Sequence, residues 1–79
     1  MTSGDITTAI GELIGSHLQV TELEPDAPLV DYGLDSVRAA ELIVDLETLF
    51  LVEISDEEAA VMETLRDVAQ RISAKLAQS

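Results

Sequence analysis

The sequence predicts an all-α fold of four helices, the third short, with a long loop between the first two. Three observations carry this expectation. Apolar residues recur at helical spacing in three stretches, about Asp5–Leu18, Ser36–Phe50 and Thr64–Leu76. No stretch alternates as a half-buried strand does. Ser55-Asp56-Glu57-Glu58 has the Ser-x-x-Glu pattern of a capping box and opens a short helix through about Val61.

In the first helix the apolar positions are Ile6, Ala9, Ile10, Leu13, His17 and Leu18, with Ile14 at the edge. Thr2 and Ser3 are its candidate caps. Gly11 and Gly15 fall on the far side of this stripe. Each costs a helix up to about 1 kcal/mol relative to Ala, so this helix is expected to depend on packing. Their four-residue spacing matches a membrane dimer motif, which means little in a segment this short and polar.

Residues 20–34 hold Pro25, Pro28 and Gly33 and show no period. A loop this long in a small domain usually has a purpose. Leu23, Leu29, Val30 and Leu34 are expected to pin it to the core. In the second helix Ala39, Leu42, Ile43, Leu46, Leu49 and Phe50 share one face. Val37, Glu41, Val44 and Thr48 lie almost opposite, flanked by Arg38, Asp45 and Glu47. Two valines aimed at water among carboxylates are an anomaly. In the last helix Leu65, Val68, Ala69, Ile72 and Leu76 share a face. Arg71 and Lys75 sit near its C-terminal end, where cations suit the helix dipole.

Composition narrows the function. The 79 residues fit one domain, 1–79, and include 16 acidic side chains against 4 basic ones, a net charge of -12. That charge repels nucleic acids and anionic membranes and favours basic protein partners. Without Cys there is no disulfide, no thiolate metal site and no cysteine nucleophile. The one His, His17, cannot build a multi-histidine metal site and reads as a packed or edge residue. The pairs Glu57-Glu58 and Glu22/Glu24 are what chance gives in so acidic a chain. Asp26 to Asp35 lacks the ligand alternation of a calcium loop, and no glycine loop cradles a phosphate. No metal and no enzymatic activity are expected. No apolar run approaches the roughly 18–20 residues that span a bilayer, and the N-terminus lacks a signal-peptide pattern. A soluble, cytoplasmic monomer is the expectation.

One segment carries candidate chemistry. Leu29-Val30-Asp31-Tyr32-Gly33-Leu34-Asp35-Ser36-Val37 places Ser36 in the first turn of the second helix. An Asp-Ser helix cap explains this stretch on its own. A serine there is also easily reached, and a phosphate ester on it would meet unpaired N–H groups and the positive end of the dipole. The Glu that would complete a capping box is absent, since residue 39 is Ala.

Tyr32-Gly33-Leu34-Asp35-Ser36-Val37 resembles the attachment motif of acyl carrier and peptidyl carrier proteins. The resemblance continues through Glu41–Glu47, Phe50, Glu53–Glu58 and Thr64–Ala69, essentially the whole chain. It implies a four-helix bundle that catalyses nothing. It implies a 4′-phosphopantetheine arm, donated from coenzyme A by a phosphopantetheinyl transferase and esterified to Ser36, with Asp35 beside it. The arm's thiol would hold cargo as a thioester, which accounts for the missing cysteine. Val37 and Val44 match positions where family members present apolar contacts. Glu41, Asp45 and Glu47, with Asp35, would steer a basic partner. Val37 replaces the usual Leu. Arg38 stands where fatty-acid-type carriers often have an acid, and is more typical of peptidyl and aryl carriers. It is also the sole cation before Arg66, and would weaken attraction for a partner tuned to continuous acid.

The chain starts at Met1 without a linker, so a discrete carrier is expected. Its expected role is delivering an acyl group among partner enzymes in polyketide-type or other specialised metabolism. Its loading partner would be an acyltransferase or ketosynthase system. A nonribosomal peptidyl or aryl carrier, charged by an adenylating enzyme, is the alternative. A different class, an unmodified acidic helical adaptor, would bind partners regardless of Ser36. Small side chains at Ala39, Ala40, Ala59 and Ala60 would leave room near an arm.

Overall fold

The computed structural model describes residues 3–77, with side chains from Ile6 onward. Its helices are α1 (Ser3–Leu18), α2 (Ser36–Phe50), α3 (Asp56–Val61) and α4 (Leu65–Ala77). A 3-10 turn, Leu29–Tyr32, interrupts the long loop. Among the described residues there is no strand, only an isolated bridge between Pro28 and Thr64. No described helix is long and apolar enough to cross a membrane. Thr2 and the side chain of Ser3, the expected caps of α1, lie outside the described residues.

The core is aliphatic. Ile6, Ile10, Ile14 and Leu18 of α1 meet Leu42 and Leu46 of α2 and Leu65, Val68, Ala69 and Ile72 of α4, and Leu29, Ile54 and Met62 close it. Removing each such side chain from water contributes about 1.5–3 kcal/mol. The expected stripe of α1 needs correction. Its buried line is the i, i+4 series from Ile6 to Leu18, so Ile14 is central, while Ala9 and Leu13 are half-buried. The glycines do not face water either. Gly11 lies against Leu65, and the chain folds back over Gly15, where the Val20 amide donates to the Gly15 carbonyl at 3.0 Å. Gln19, with φ of 58°, makes that reversal.

The loop is pinned by Leu29, which is buried, and by half-buried Leu23 and Leu34. Val30 is exposed, contrary to expectation, because the 3-10 turn puts consecutive residues on different sides. The Tyr32 hydroxyl accepts from the Glu24 amide at 3.0 Å. Gly33, at φ of 97°, closes the turn in a conformation that suits glycine. The Leu29 amide donates to Glu63 and the Arg66 amide to Pro25, so the loop is clipped to the start of α4. The Arg66 guanidinium adds a two-pronged pair with Asp26, at 2.5 and 3.2 Å, which holds the Asp26 carboxyl below its ordinary pKa.

The capping box of α3 is present in full: the Ser55 hydroxyl accepts from Glu58 N, and the Glu58 carboxylate accepts from Ser55 N. Lys75 of α4 reaches Glu58 at 2.6 Å, and this contact first, then the bond from the Ser55 amide, lowers the Glu58 pKa. The helix α2 has the expected bounds, but Leu49 is exposed. By spacing it shares the meridian of Leu42 and Leu46, but in the last turn of α2 it is 57% exposed.

Candidate functional site

Ser36 opens α2 at its exposed N-terminal end. Asp35 is the N-cap, in extended conformation, and its Oδ1 accepts from the Arg38 amide at 2.8 Å. Asp35 therefore satisfies one of the orphan donors of α2, which frees the Ser36 side chain from capping. No described residue engages the Ser36 hydroxyl. It stands in water at the positive end of a 15-residue helix.

Arg38 does not project over Ser36 as a free cation. Its Nη1 donates to the His17 carbonyl at 3.0 Å, in the last turn of α1, and its Nε lies 4.0 Å from Asp35 Oδ2. The negative end of the α1 dipole suits a guanidinium there. His17 is tied on its other side too: its Nε2 lies 2.6 Å from Asp45 Oδ2. His17 thus joins α1 to α2 twice, once through its main chain and once through its ring. An open groove of about 490 Å³ lies between these groups, lined by His17, Asp35, Val37, Arg38 and Glu41.

Val37 and Val44 are 68% and 58% exposed on the outer face of α2, and Glu41 and Asp45 are exposed beside them. Glu47 departs from the expected outer flank. Its carboxylate turns to the α2–α3 connection and accepts from the Ile54 amide at 2.9 Å. Sequence reasoning missed three links: His17 with Asp45, Arg38 with the His17 carbonyl, and Glu47 with Ile54. The first two span 28 and 21 residues, so no local spacing signals them. Inside, Ala39 and Ala59 line a cavity of about 60 Å³ with Leu29, Leu42, Leu46 and Met62, while Ala40 and Ala60 are exposed.

The family model described as "Phosphopantetheine attachment site" matches residues 5–72. The chain belongs to this family of acyl and peptidyl carrier proteins. The carrier is 38% identical over 73 residues to an acyl carrier protein of Solidesulfovibrio magneticus, covering 89% of this chain and 94% of the relative. It also matches the non-reducing polyketide synthase ausA of Aspergillus calidoustus, 32% identical over 68 residues, covering 86% of this chain and 3% of the synthase. Among solved structures, a free-standing peptidyl carrier protein from an Acinetobacter baumannii secondary metabolic pathway superposes with a TM-score of 0.82. That match has 25% identity and covers 94% of this chain and 95% of the other.

Carriers of this family are not enzymes, and their prosthetic group is a covalently attached 4′-phosphopantetheine. Its thiol supplies the sulfur that the cysteine-free sequence lacks. The surroundings of Ser36 fit such a group: a hydroxyl without a partner among the described residues, open to solvent, at a helix end that favours a phosphate.

Proposed function

We propose that this chain is an acyl carrier of polyketide-type or other specialised metabolism, working in the cytoplasm with Ser36 as its attachment residue. The observation that carries the reading is the exposed, unengaged Ser36 hydroxyl at the start of α2, with Asp35 doing the capping. A phosphopantetheinyl transferase would move the arm from coenzyme A onto Ser36 Oγ: the Oγ–P bond forms as the pyrophosphate P–O bond of coenzyme A breaks, adenosine 3′,5′-bisphosphate leaves, and the serine proton is released. An acyltransferase or ketosynthase system then exchanges cargo with the arm. Glu41 and Asp45, beside Val37 and Val44, offer such enzymes an acidic rim around apolar contacts. The acyl carrier of S. magneticus favours an acyl cargo, and the polyketide synthase match favours that branch of metabolism. The 60 Å³ cavity has the liquid volume of about two waters, so a long chain enters the core only by parting α2, α3 and α4.

A second reading, a peptidyl or aryl carrier charged by an adenylating enzyme, has the A. baumannii structure and Arg38 in its favour. The test of the attachment is the intact mass after incubation with coenzyme A and a broad-specificity transferase. One phosphopantetheine is gained by the wild type and none by Ser36→Ala, which keeps its helix content. No gain in the wild type sinks the proposal. Charging of the holo protein by an adenylating enzyme, and not by acyltransferases, selects the second reading.

A further inference from the structure

The first turn of α2 carries Ser36 and has little beneath it. Ser36, Val37 and Arg38 are exposed and Ala39 is only half-buried. The first buried side chain of the helix is Leu42, six residues beyond Ser36. Core packing thus begins more than one turn after the attachment residue. A helix end without packing frays. The Asp35 cap satisfies one amide of this turn, but it ties the turn only to the residue before it.

Among the described residues, the turn is joined to another helix by the Arg38 side chain. Its Nη1 donates to the His17 carbonyl at 3.0 Å. That carbonyl lies in the last turn of α1, where main-chain acceptors lack a helical partner. The guanidinium charge strengthens the bond. Its anchor is itself held, since the His17 ring lies 2.6 Å from Asp45. Arg38 and Asp45 are seven residues apart, two turns or about 10 Å along one side of α2. Two contacts so far apart with one residue of α1 fix the direction of α2 as well as its distance. A carboxylate at position 38 could not make the bond, because it has no proton to offer a carbonyl.

We propose that Arg38 is a positioning residue for arm attachment: by bridging the first turn of α2 to the His17 carbonyl, it holds Ser36 in place against α1 while the transferase acts. The inference rests on the reading that Ser36 takes the arm. It gives the sole cation before Arg66 a task that needs no contact with the enzyme. The leverage is geometric, since misplacing a reacting group by about 1 Å can cost about a hundredfold in rate.

The test is steady-state transfer from coenzyme A by a broad-specificity transferase, run well below the melting temperature, with amide hydrogen exchange on the same samples. Arg38→Ala lowers kcat about tenfold and leaves KM for the carrier within about twofold of the wild type. Arg38→Lys, which keeps a donor on a stem of similar length, recovers most of the rate. Arg71→Ala, which removes an exposed cation from α4, matches the wild type. In Arg38→Ala the Ala39 and Ala40 amides exchange about tenfold faster, while the Leu46 amide in the core is unchanged. Transfer to Arg38→Ala at the wild-type rate, or unchanged exchange at Ala39 and Ala40, overturns the role. So does an equal rise in exchange at Leu46, which marks a loss of global stability. A raised KM at wild-type kcat overturns it in favour of direct contact with the transferase, and Arg38→Lys as slow as Arg38→Ala overturns it too. Wild type that takes no arm overturns the attachment reading and this role with it, whereas the other outcomes leave that reading standing.

Discussion

Gly11→Ala and Gly15→Ala are the same substitution four residues apart in α1, and their effects on stability have opposite signs. Replacing a helix-interior glycine gains up to about 1 kcal/mol in propensity. At Gly11 the added Cβ meets Leu65 Cδ2 at 3.6 Å, an ordinary contact, so the gain is kept. At Gly15 the Cβ would stand 2.8 Å from the Val20 carbonyl oxygen. A comfortable carbon–oxygen approach is about 3.3 Å or more, so backbone must move by about half an ångström. That backbone cannot move freely: Val20 donates to the Gly15 carbonyl and follows the left-handed Gln19. Overpacking of this kind costs about 1–3 kcal/mol, which exceeds the propensity gain. Gly15→Ala is thus destabilised by up to about 2 kcal/mol net, and the two variants differ by the overpacking cost, about 1–3 kcal/mol. In a domain this size each kcal/mol shifts the melting temperature by about 4–8 °C. Thermal melts followed by circular dichroism at 222 nm give the order Gly11→Ala, wild type, Gly15→Ala. A Gly15→Ala protein as stable as the wild type would refute the reasoning.

Glu47→Ala leaves the half-buried Ile54 amide without its acceptor and costs about 1–3 kcal/mol, seen as a lower urea midpoint at unchanged slope; Glu47→Gln keeps an acceptor and loses less. Leu46→Ala, at a fully buried position, costs about 2–5 kcal/mol and leaves a large unfolded fraction at 37 °C by circular dichroism. Asp26→Asn tests the loop clip by its pH dependence. Because Arg66 lowers the Asp26 pKa in the folded state, the pair's contribution is complete above the ordinary carboxylate range and fades as pH falls through the folded value. The melting-temperature gap between wild type and Asp26→Asn is therefore widest at neutral pH and closes below about pH 4. A gap that widens on acidification would contradict the pairing.

What the sequence disclosed was local. The Ser55–Glu58 box, the bounds of α2 and the buried face of α4 follow from spacing and caps, and all appear in the structure. The stripe of α1 was misplaced because two partners choose it. Leu65 covers Gly11 and Val20 covers Gly15, and neither neighbour is visible from the helix's own period. Leu49 satisfies the period and is still exposed, since a period says which way a residue faces and not whether anything lies opposite. At the candidate site, Ser36 and Asp35 were legible because capping is a matter of adjacent residues. Arg38 was not: its charge could be counted, but only the fold brings the His17 carbonyl to it across 21 positions. The cation that seemed to interrupt the acidic face is drawn toward the end of α1.

The packing of α1 on α4 has a consequence for the order of events in the cell. Ile10 and Ile14 are buried with Ile72, near the other end of the chain, and the loop before Ser36 is clipped to residues 63–66. While the protein is being translated, Ser36 leaves the ribosome long before Leu65, Val68 and Ile72 do. At about 5–20 residues per second the interval lasts a few seconds, during which α2 has no finished scaffold beneath it. A transferase that recognises the folded surface around Ser36 accepts only chains whose last helix has been made. On the proposed attachment at Ser36, the topology would make completion of α4 a precondition for modification by such a transferase.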